Sequence, residues 1–446
     1  MNRKTILMVV LAGVIFLSAC NRRDLYKEPE TTGDTDVVTN EIQTDDFTPN
    51  TDIGSPYQNM SEEELEALFF ETPNRAQLST DHAFNTPYYF ILSTSTFGTG
   101  GQAYSKLTGN MITLCKDLTC SHKGDDPCLY KGLIEECVVM GNRIYILVNN
   151  FRGEYLLYSV NLQLDDTKLV YKWSDTENID NLCSYNGKIY MTGYVMENGL
   201  NIMLSMFIFD PLKKTYTTAV ETDFMFQAGS IIDGVLYYTN QDGSLWQYDI
   251  ETTVHECLLE ASLLNRENGD VRFIVSETAE STYLRVVRQG VVKDSLLYYD
   301  LNTGKTFPEE QLMEGINGKI SAWTEAGQFY LLNHATTAYE SDPHFAYYND
   351  KVENWLVNDS GGEIWYRQNT DDELTLFTVM KTDGIPDAIR AIAAMDGKTI
   401  VVTYSSYKDF ANVYNEYQKI TEDDLCIRYA VIDLETGAVY KNDLVY

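Results

Sequence analysis

From about residue 80 onward, the chain repeats one pattern of apolar and polar residues. Each repeat begins with an Asn, Asp or Gly turn and continues into an apolar pair that ends on an aromatic residue. A later apolar strand then closes on an Asp or Asn turn. Clear copies begin at Gly187, Gly234 and Gly327. Short apolar runs bounded by such turns predict β-strands rather than helices.

The repeat has a nearly constant length. Successive intervals between its marker residues from Tyr145 to Tyr330 are 45, 47, 46 and 47 residues. The full set of markers is Tyr89, Tyr145, Tyr190, Tyr237, Tyr283, Tyr330, Tyr366 and Val401. A period of this length, made of short strands, is typical of the blades of a β-propeller. We therefore predict an all-β fold in which residues 80–446 form a β-propeller.

The spacing fixes the length of the repeat but allows two blade numbers. The length favours about eight blades, with seven as the alternative. The intervals from Tyr330 to Tyr366 and from Tyr366 to Val401 shorten to 36 and 35 residues. Either two blades are short or one blade holds a large insertion. A pair of immunoglobulin-like sandwiches could be built from the same strands, but it would not repeat one sequence pattern at a constant interval.

Hairpin turns are encoded within the repeats. Asn-Gly or Asp-Gly pairs at 186–187, 233–234 and 396–397 supply the positive φ that tight hairpins require. The segments 299–304 and 432–437 share the pattern Asp-Leu-x-Thr-Gly. This pattern occurs in the blades of quinoproteins, but it is also common in the turns of β-hairpins.

The first residues differ from everything that follows. Arg3 and Lys4 precede an apolar run, and small residues at 18–19 stand before Cys20. This order is typical of a bacterial lipoprotein signal, so residues 1–19 are predicted to be removed and Cys20 to carry a diacylglycerol. We expect a protein of the cell membrane, lipid-anchored on the extracytoplasmic face. An ordinary secretory signal or an uncleaved anchor helix is the alternative.

A polar stretch joins this signal to the repeats. Residues 20–60 are rich in acids, Thr and Pro and contain little to bury, which predicts a disordered acidic tether. Ser61 and Glu64 form a capping-box pattern. Residues 61–79 are therefore expected to form a short helix and the lead-in to the propeller.

The net charge of −33 limits the choice of partners. Nucleic acids and anionic lipid headgroups attract basic surfaces, so we expect no nucleic-acid partner and membrane contact through the acyl chains alone. The expected partners are a glycan, a peptide or an envelope protein. Acid clusters at 371–373 and 422–424 could hold Ca²⁺ through oxygen ligands, although such clusters are more often solvated turns.

The longest insertions are expected on one face of the propeller. Successive strands of a blade reverse direction, so second-to-third strand connections share a face with the connections between blades. Residues 336–344, 404–425 and the inter-blade segment 115–137 all fall at such positions. The aromatic residues of 404–425 follow one helical face, which either packs on the propeller or forms a platform for a sugar ring or peptide. The predicted ligand-binding residues are Tyr339, His344, Tyr407, Phe410, Tyr414 and Tyr417.

Cysteines cluster in the inter-blade insertion. The predicted metal or disulfide residues are Cys115, Cys120, His122, Cys128 and Cys137. These residues could bind Zn²⁺ in a tetrahedral site, form one or two disulfides or stay reduced, since exported thiols tend to pair. Cys183, Cys257 and Cys426 stand singly among apolar residues and are expected to be small core residues.

Four features together carry a family resemblance. They are the lipoprotein signal, the acidic tether, the Cys-x4-Cys-x-His-x5-Cys run and the repeats with their Tyr residues. Along its whole length, the chain resembles a group of uncharacterised β-propeller lipoproteins of Gram-positive gut anaerobes. The resemblance implies display at the cell surface, and it brings no reaction, substrate or catalytic residues with it.

No motif in the sequence assigns a reaction. The chain contains no His-Glu-x-x-His, Gly-x-Ser-x-Gly, phosphate-loop or dinucleotide pattern. We expect a ligand- or protein-binding propeller rather than an enzyme. One alternative is a carbohydrate-active enzyme, a glycosidase or lyase that uses carboxylates in the propeller funnel. The other is a purely structural envelope component.

Overall fold

Strands dominate the computed structural model of the chain. It describes residues 55–71, 83–92, 101–114, 129, 132–150, 154–173, 177–197, 201–221, 227–239, 244–260, 271–277, 282–288, 295–308, 318–324, 326–332, 362–382, 385–406 and 428–441. All of these residues belong to one compact unit, Thr51–Tyr446. The predicted signal peptide, Cys20 and the tether up to residue 54 lie outside the described residues.

The described strands form seven four-stranded antiparallel sheets, which we call blades 1 to 7. Blade 1 contains β1 (Ala83–Asn85), β2 (Tyr89–Leu92), β3 (Gln102–Ser105) and β4 (Met111–Thr113). Blade 2 contains β5 (Gly132–Met140), β6 (Arg143–Asn150), β7 (Tyr155–Asn161) and β8 (Thr167–Lys172). Blade 3 contains β9 (Glu177–Tyr185), β10 (Lys188–Glu197), β11 (Asn201–Asp210) and β12 (Thr215–Glu221). Blade 4 contains β13 (Gln227–Ile232), β14 (Val235–Thr239), β15 (Leu245–Asp249) and β16 (His255–Leu259).

The remaining blades follow in the same order. Blade 5 contains β17 (Val271–Glu277), β18 (Thr282–Arg288), β19 (Ser295–Asp300) and β20 (Thr306–Pro308). Blade 6 contains β21 (Gly318–Thr324), β22 (Gly327–Leu332), β23 (Glu363–Arg367) and β24 (Thr375–Val379). A short pair, β25 (Lys381–Thr382) and β26 (Ile385–Pro386), leads into the last blade. Blade 7 contains β27 (Ala388–Met395), β28 (Thr399–Ser405), β29 (Arg428–Asp433) and β30 (Val439–Lys441).

The blades form a closed ring. The first strands of neighbouring blades contact one another, from β1 through β5, β9, β13, β17 and β21 to β27. Strand β27 in turn contacts β1. The first strand of every blade therefore surrounds one axis, which is the arrangement of a β-propeller. The predicted all-β propeller is confirmed.

The ring has seven blades, the alternative count, rather than the eight that the spacing favoured. Tyr330 in β22 pairs with Trp365 in β23, and Phe329 pairs with Tyr366. Tyr330 and Tyr366 thus mark two strands of the same blade. The short intervals reflect one large insertion, residues 333–362, within blade 6.

Hairpin turns follow the predicted chemistry at two of the three sites. Asn186 and Gly187 have φ values of 47° and 69°, and Asp233 and Gly234 have 48° and 82°. The prediction of a positive φ at 396–397 is wrong, because neither residue has one. The carboxylate of Asp396 shapes this turn instead, by accepting hydrogen bonds from the backbone.

Apolar side chains fill the spaces between blades. Leu147 of blade 2 and Phe207 of blade 3 belong to one buried cluster, and Tyr237 of blade 4 and Leu284 of blade 5 belong to another. Burial of such side chains, at about 25 cal/mol per Å² of apolar surface, is the main force that holds blade against blade.

The predicted short helix precedes blade 1. Helix α1 (Glu62–Glu71) begins at the capping box, where Ser61 N–H donates to Glu64 Oε2 at 2.7 Å and Glu64 N–H donates to Ser61 Oγ at 3.2 Å. Among the described residues, no helix has the length and apolar character needed to cross a membrane.

Candidate functional site

The connections between strands differ strongly between the two faces of the propeller. First-to-second and third-to-fourth strand connections lie on one face, the short-connection face, where the longest is 368–374. Second-to-third strand connections and the connections between blades lie on the opposite face, because consecutive strands are antiparallel. On this long-connection face, residues 333–362 separate β22 from β23, and 406–427 separate β28 from β29.

The predicted ligand-binding residues all belong to connections of the long-connection face. Tyr339 and His344 lie between β22 and β23, and the aromatic residues 407–417 lie between β28 and β29. The cysteine-rich segment 114–131 connects blades 1 and 2 on the same face. The six predicted ligand-binding side chains lie outside the described residues, so their grouping stays a prediction.

The chain enters the propeller on the short-connection face. Tyr88, in the β1–β2 connection, donates a hydrogen bond to the Glu66 carboxylate of α1. Ser55 Oγ donates to the backbone carbonyl of Lys106, in the β3–β4 connection. Both connections belong to the short-connection face, so residues 55–71 pack against this face of blade 1.

A buried cluster joins blade 1 to blade 7. We call Tyr57, Lys106, Asp396 and Thr399 the seam cluster. Lys106 Nζ lies 2.8 Å from Asp396 Oδ2, and both side chains are at most 1% exposed. The Tyr57 hydroxyl donates to the same carboxylate oxygen at 2.8 Å and is also hydrogen-bonded to the Thr399 hydroxyl. Asp396 Oδ1 accepts the backbone N–H groups of Lys398 and Thr399 at 2.9 and 2.8 Å. Both carboxylate oxygens therefore have donors.

The Lys106 ammonium group has several partners besides Asp396. It donates to Asn85 Oδ1 at 2.6 Å and lies 4.4 Å from the centroid of the Phe90 ring and 5.3 Å from that of Tyr57. A buried charge is tolerated only when hydrogen bonds and an opposite charge replace its lost hydration. Burial lowers the pKa of Lys106, and Asp396 opposes this effect. For Asp396, burial acts to raise the pKa, but Lys106 and the hydrogen-bond donors outweigh it and hold the pKa below its ordinary value.

The first and last blades of the ring meet at a seam. Among the described strands, those of blade 1 come only from the beginning of the propeller and those of blade 7 only from its end. Among the described residues, the Lys106–Asp396 ion pair and a shared apolar cluster join the two blades. Phe90 of blade 1 and Val401 of blade 7 lie in one apolar cluster, which also contains Tyr57 and Leu65. The entering segment 55–71 is therefore part of the ring closure.

The Asp-Leu-x-Thr-Gly segments form hairpin turns in blades 5 and 7. Asp433 Oδ1 accepts the backbone N–H of Glu435 at 3.1 Å and that of Thr436 at 2.8 Å. Asp300 Oδ1 accepts equivalent bonds in blade 5. The following glycine has a φ of 66° or 68°. In both blades, the Asp-Leu-x-Thr-Gly pattern therefore forms a hairpin turn.

Acid should weaken the turn at Asp433. Burial acts to raise the pKa of Asp433, but hydrogen bonds from Thr436 and the Lys398 ammonium group outweigh it and hold the pKa below its ordinary value. A carboxyl group with a lowered folded-state pKa stabilises the fold above the unfolded pKa of about 3.9, and this contribution is lost as the pH falls through the folded value. We expect the free energy of unfolding to fall less steeply between about pH 5 and pH 3 in Asp433→Asn than in the wild type. Asp371→Asn, in an exposed turn, is the matched control, and an equal slope in all three proteins would contradict the prediction.

Cys137 is the one member of the predicted metal or disulfide set within the described part of the chain. It lies in β5, pairs with Ile146 and packs against the apolar cluster that includes blades 1 and 2. Its thiol forms no disulfide with another described residue. Cys115, Cys120, His122 and Cys128 lie outside the described residues, so the zinc and disulfide alternatives stay predictions. In the part of the chain that is described, no group of three or more His, Cys, Asp or Glu side chains could hold a metal ion.

The Cys137 thiol should react slowly in the folded protein. Burial raises its pKa well above the ordinary value, and the Glu136 carboxylate acts in the same direction. Since the thiolate is the reactive form, we expect iodoacetamide at pH 8 to modify Cys137 at least about tenfold more slowly in the native chain than in urea. Peptide mass spectrometry measures both rates, and similar rates would show that the thiol is accessible and acidic.

Acidic and basic residues occupy the innermost strands of different blades. Acidic residues occupy the first half or middle of β5 and β9, at Glu135, Glu136, Glu177 and Asp180. Basic residues occupy the first half of β17, β21 and β27, at Arg272, Lys319 and Arg390. The first strands all begin on the long-connection face. The sequence alone does not show this distribution, because contacts between blades determine which strand of each blade is innermost.

Comparisons with known proteins identify no family. No protein-family model and no curated protein matches the chain. Similar solved structures include an oligogalacturonate lyase from Vibrio parahaemolyticus, with 8% identity, a TM-score of 0.46 and coverage of 75% of this chain and 87% of the lyase. Another is the β-propeller domain of the Trilobed protease from Pyrococcus furiosus, with 10% identity, a TM-score of 0.45 and coverage of 82% and 99%. At these values, the likenesses do not indicate what this chain binds.

Proposed function

We propose that this chain is a lipid-anchored extracytoplasmic protein whose propeller binds a glycan, a peptide or an envelope protein on its long-connection face. The observation that carries this proposal is the difference between the two faces. A stiff ring of strands supports only short turns on one face and several long connections on the other. Long connections on a rigid β-scaffold are where recognition residues concentrate.

The entry point of the chain supports the same proposal. Residues 55–71 pack against the short-connection face, so a tether that joins the propeller at Ser55 attaches on the side opposite the long connections. The long-connection face is therefore not the face on which residues 55–71 pack.

A binding array tests this function. The soluble chain should begin at residue 51, since Tyr57 is part of the core. Applied to glycan and peptide arrays, it is expected to bind at least one ligand class. The double variant Tyr414→Ala and Tyr417→Ala should weaken that binding by about tenfold or more, because aromatic platforms supply much of the contact energy with sugars and peptides.

The matched control for this experiment is Phe70→Ala. Phe70 is 59% exposed on α1, at the short-connection face, and loses an aromatic ring in the same way. The control should bind like the wild type. Equal binding by all three proteins would remove the tyrosine platform, and no binding on either array would contradict the binding function.

A carbohydrate-active enzyme is the second candidate, and one observation favours it. Acidic residues of two adjacent blades, Glu135 and Glu136 in β5 and Glu177 and Asp180 in β9, lie on strands that line the axis. Paired carboxylates are the groups that glycoside hydrolysis requires. Under this alternative, a panel of oligosaccharides should yield shortened products that Asp180→Asn abolishes. Intact oligosaccharides after long incubation would exclude the enzyme.

A further inference from the structure

We infer that Asp387 and Lys441 hold the ends of the two longest second-to-third strand connections, 333–362 and 406–427, in one fixed arrangement and so position both for binding. This inference rests on the binding function proposed above and deepens it by naming positioning residues of the same face. Asp387 directly precedes β27, and Lys441 ends β30, so both lie on the long-connection face of blade 7. They act through the two connections rather than by contact with a ligand.

Asp387 and Lys441 form a largely buried ion pair. The Lys441 ammonium group donates to Asp387 Oδ2 and to the backbone carbonyl of Lys381. It also donates to Thr382 Oγ1 at 3.0 Å, and that hydroxyl donates to Asp387 Oδ1 at 2.7 Å. The Asp387 side chain is fully buried, and that of Lys441 is 21% exposed. Because a buried carboxylate needs a charge partner and hydrogen bonds, these contacts fix β25 and β30 relative to the start of β27.

Backbone hydrogen bonds connect this ion pair to the end of the connection 333–362. Asp387 N–H donates to the Met380 carbonyl at 3.1 Å, and Met380 N–H donates to the Gly362 carbonyl at 2.6 Å. Gly362 has a φ of 79°, and a Cβ at this position would lie 2.4 Å from the Met380 carbonyl oxygen. This close approach therefore requires glycine. The last residue of 333–362 is thus fixed against the segment that carries Asp387.

The same ion pair reaches the start of the connection 406–427. Lys441 Nζ lies 5.2 Å from the centroid of the Tyr404 ring, a distance at which an ammonium group is attracted to an aromatic face. Tyr404 is 2% exposed and stands one residue before the end of β28, which leads directly into 406–427. Ile389, two residues after Asp387, pairs with Tyr404. The Lys441 side chain and the segment that carries Asp387 therefore both contact the base of this connection.

A shared apolar core makes the coupling between the two connections stiff. The side chains of Ile364, Met380 and Ile389 are each at most 1% exposed. They lie with Tyr404 in one cluster formed by blades 6 and 7. Protein interiors are close-packed and transmit strain, because few voids allow one side chain to move alone. A displacement of Asp387 is therefore expected to move the ends of both connections.

Limited proteolysis of the full chain, solubilised in a mild detergent, tests this inference. Chymotrypsin cleaves after aromatic residues, which both connections contain. In Lys441→Met, we expect cleavage within 333–362 and within 406–427 to accelerate together by about tenfold, equivalent to about 1.4 kcal/mol. Cleavage within the cysteine-rich connection 114–131 should keep its wild-type rate, whereas a general loss of stability would accelerate all three. Mass spectrometry of the fragments measures each rate.

The matched control is Lys172→Met. Lys172 also ends the outermost strand of a blade on the long-connection face, and it pairs with Glu154. All three cleavage rates of this variant should stay at their wild-type values. A second variant, Asp387→Asn with Lys441→Met, removes both charges of the buried pair and should show the same selective acceleration. It keeps the inference testable if the single variant fails to fold.

Binding supplies the second readout. On the glycan and peptide arrays, Lys441→Met should weaken binding about as much as the Tyr414→Ala and Tyr417→Ala double variant, whereas Lys172→Met should bind like the wild type. Unchanged cleavage rates, faster cleavage of only one connection or equal acceleration of all three would overturn the inference. If the arrays reveal a ligand that Lys441→Met binds as tightly as the wild type, the binding function stands and the positioning role does not.

Discussion

Replacing Lys106 with methionine is expected to lower the free energy of unfolding by about 3–5 kcal/mol. The substitution keeps the side-chain length but removes the ammonium group 2.8 Å from Asp396 Oδ2. The Asp396 carboxylate would then stay in a fully buried site without its charge partner. Because the cost of an unpaired buried charge is large, this effect should exceed that of any surface ion pair in the chain. Urea unfolding followed by tryptophan fluorescence measures it.

The matched control is Lys172→Met, which breaks an ion pair on the outer strand of blade 2. Lys172 Nζ lies 2.6 Å from Glu154 Oε1, but its side chain is 51% exposed. Exposed pairs contribute about 0–1 kcal/mol, so this variant should unfold nearly like the wild type. Similar small changes in both variants would show that the seam pair is solvated in solution.

Removal of residues 55–72 should cost as much stability or more. A chain that begins at residue 73 loses three buried apolar side chains, those of Tyr57, Leu65 and Phe69. Burial of each contributes about 1.5–3 kcal/mol, so the expected loss is about 4–9 kcal/mol, comparable with the total stability of many domains. We expect this chain to be unfolded or to melt at a much lower temperature, as measured by circular dichroism.

A chain that begins at residue 51 is the control for this truncation. It lacks the predicted signal and residues 20–50 of the predicted tether but keeps every buried residue of the entering segment. Its melting temperature should match that of the full chain. Equal stability of the chain that begins at residue 73 would mean that the propeller closes without the segment, and the role assigned to residues 55–71 would be wrong.

The repeat could be found in the sequence because every blade encodes the same local pattern. Turn residues, aromatic markers and strand length recur at one period, and hydrophobic periodicity is the strongest structural signal in a sequence. The blade number could not be fixed in the same way. Tyr366 carries the marker residue type but lies in a third strand, and only pairing with Phe329 reveals this.

The seam cluster was missed because its signals are either weak or non-local. Asp396-Gly397 matches a tight hairpin, yet the structure uses the Asp396 carboxylate to bind Lys106, at a sequence separation of 290 residues. Tyr57 stands in an acidic, Pro-containing stretch that sequence analysis assigned to the disordered tether 20–60. The structure places Ser55 and Tyr57 in the core instead. A contact made only on ring closure leaves no local periodicity to detect.

The functional residues differ in how far the sequence could locate them. The sequence predicted the insertions 336–344 and 404–425 on one face, and in the structure residues 333–362 and 406–427 connect second to third strands. The distribution of acidic and basic residues over the innermost strands could not be predicted. Which strand of a blade is innermost follows only from contacts between blades. Residue types alone do not distinguish a base at the axis from one on the outer rim.

A double-mutant cycle between Lys106 and Asp396 tests most directly whether the first and last blades close one ring. The proteins are the wild type, Lys106→Met, Asp396→Asn and the double variant, and the measured quantity is the free energy of unfolding. Residues in contact within one ion-pair network couple by about 0.5–3 kcal/mol, and we expect a value in the upper half of this range. Residues on blades that do not meet would give additive effects. A coupling energy of zero within error would therefore contradict the closed seven-bladed ring.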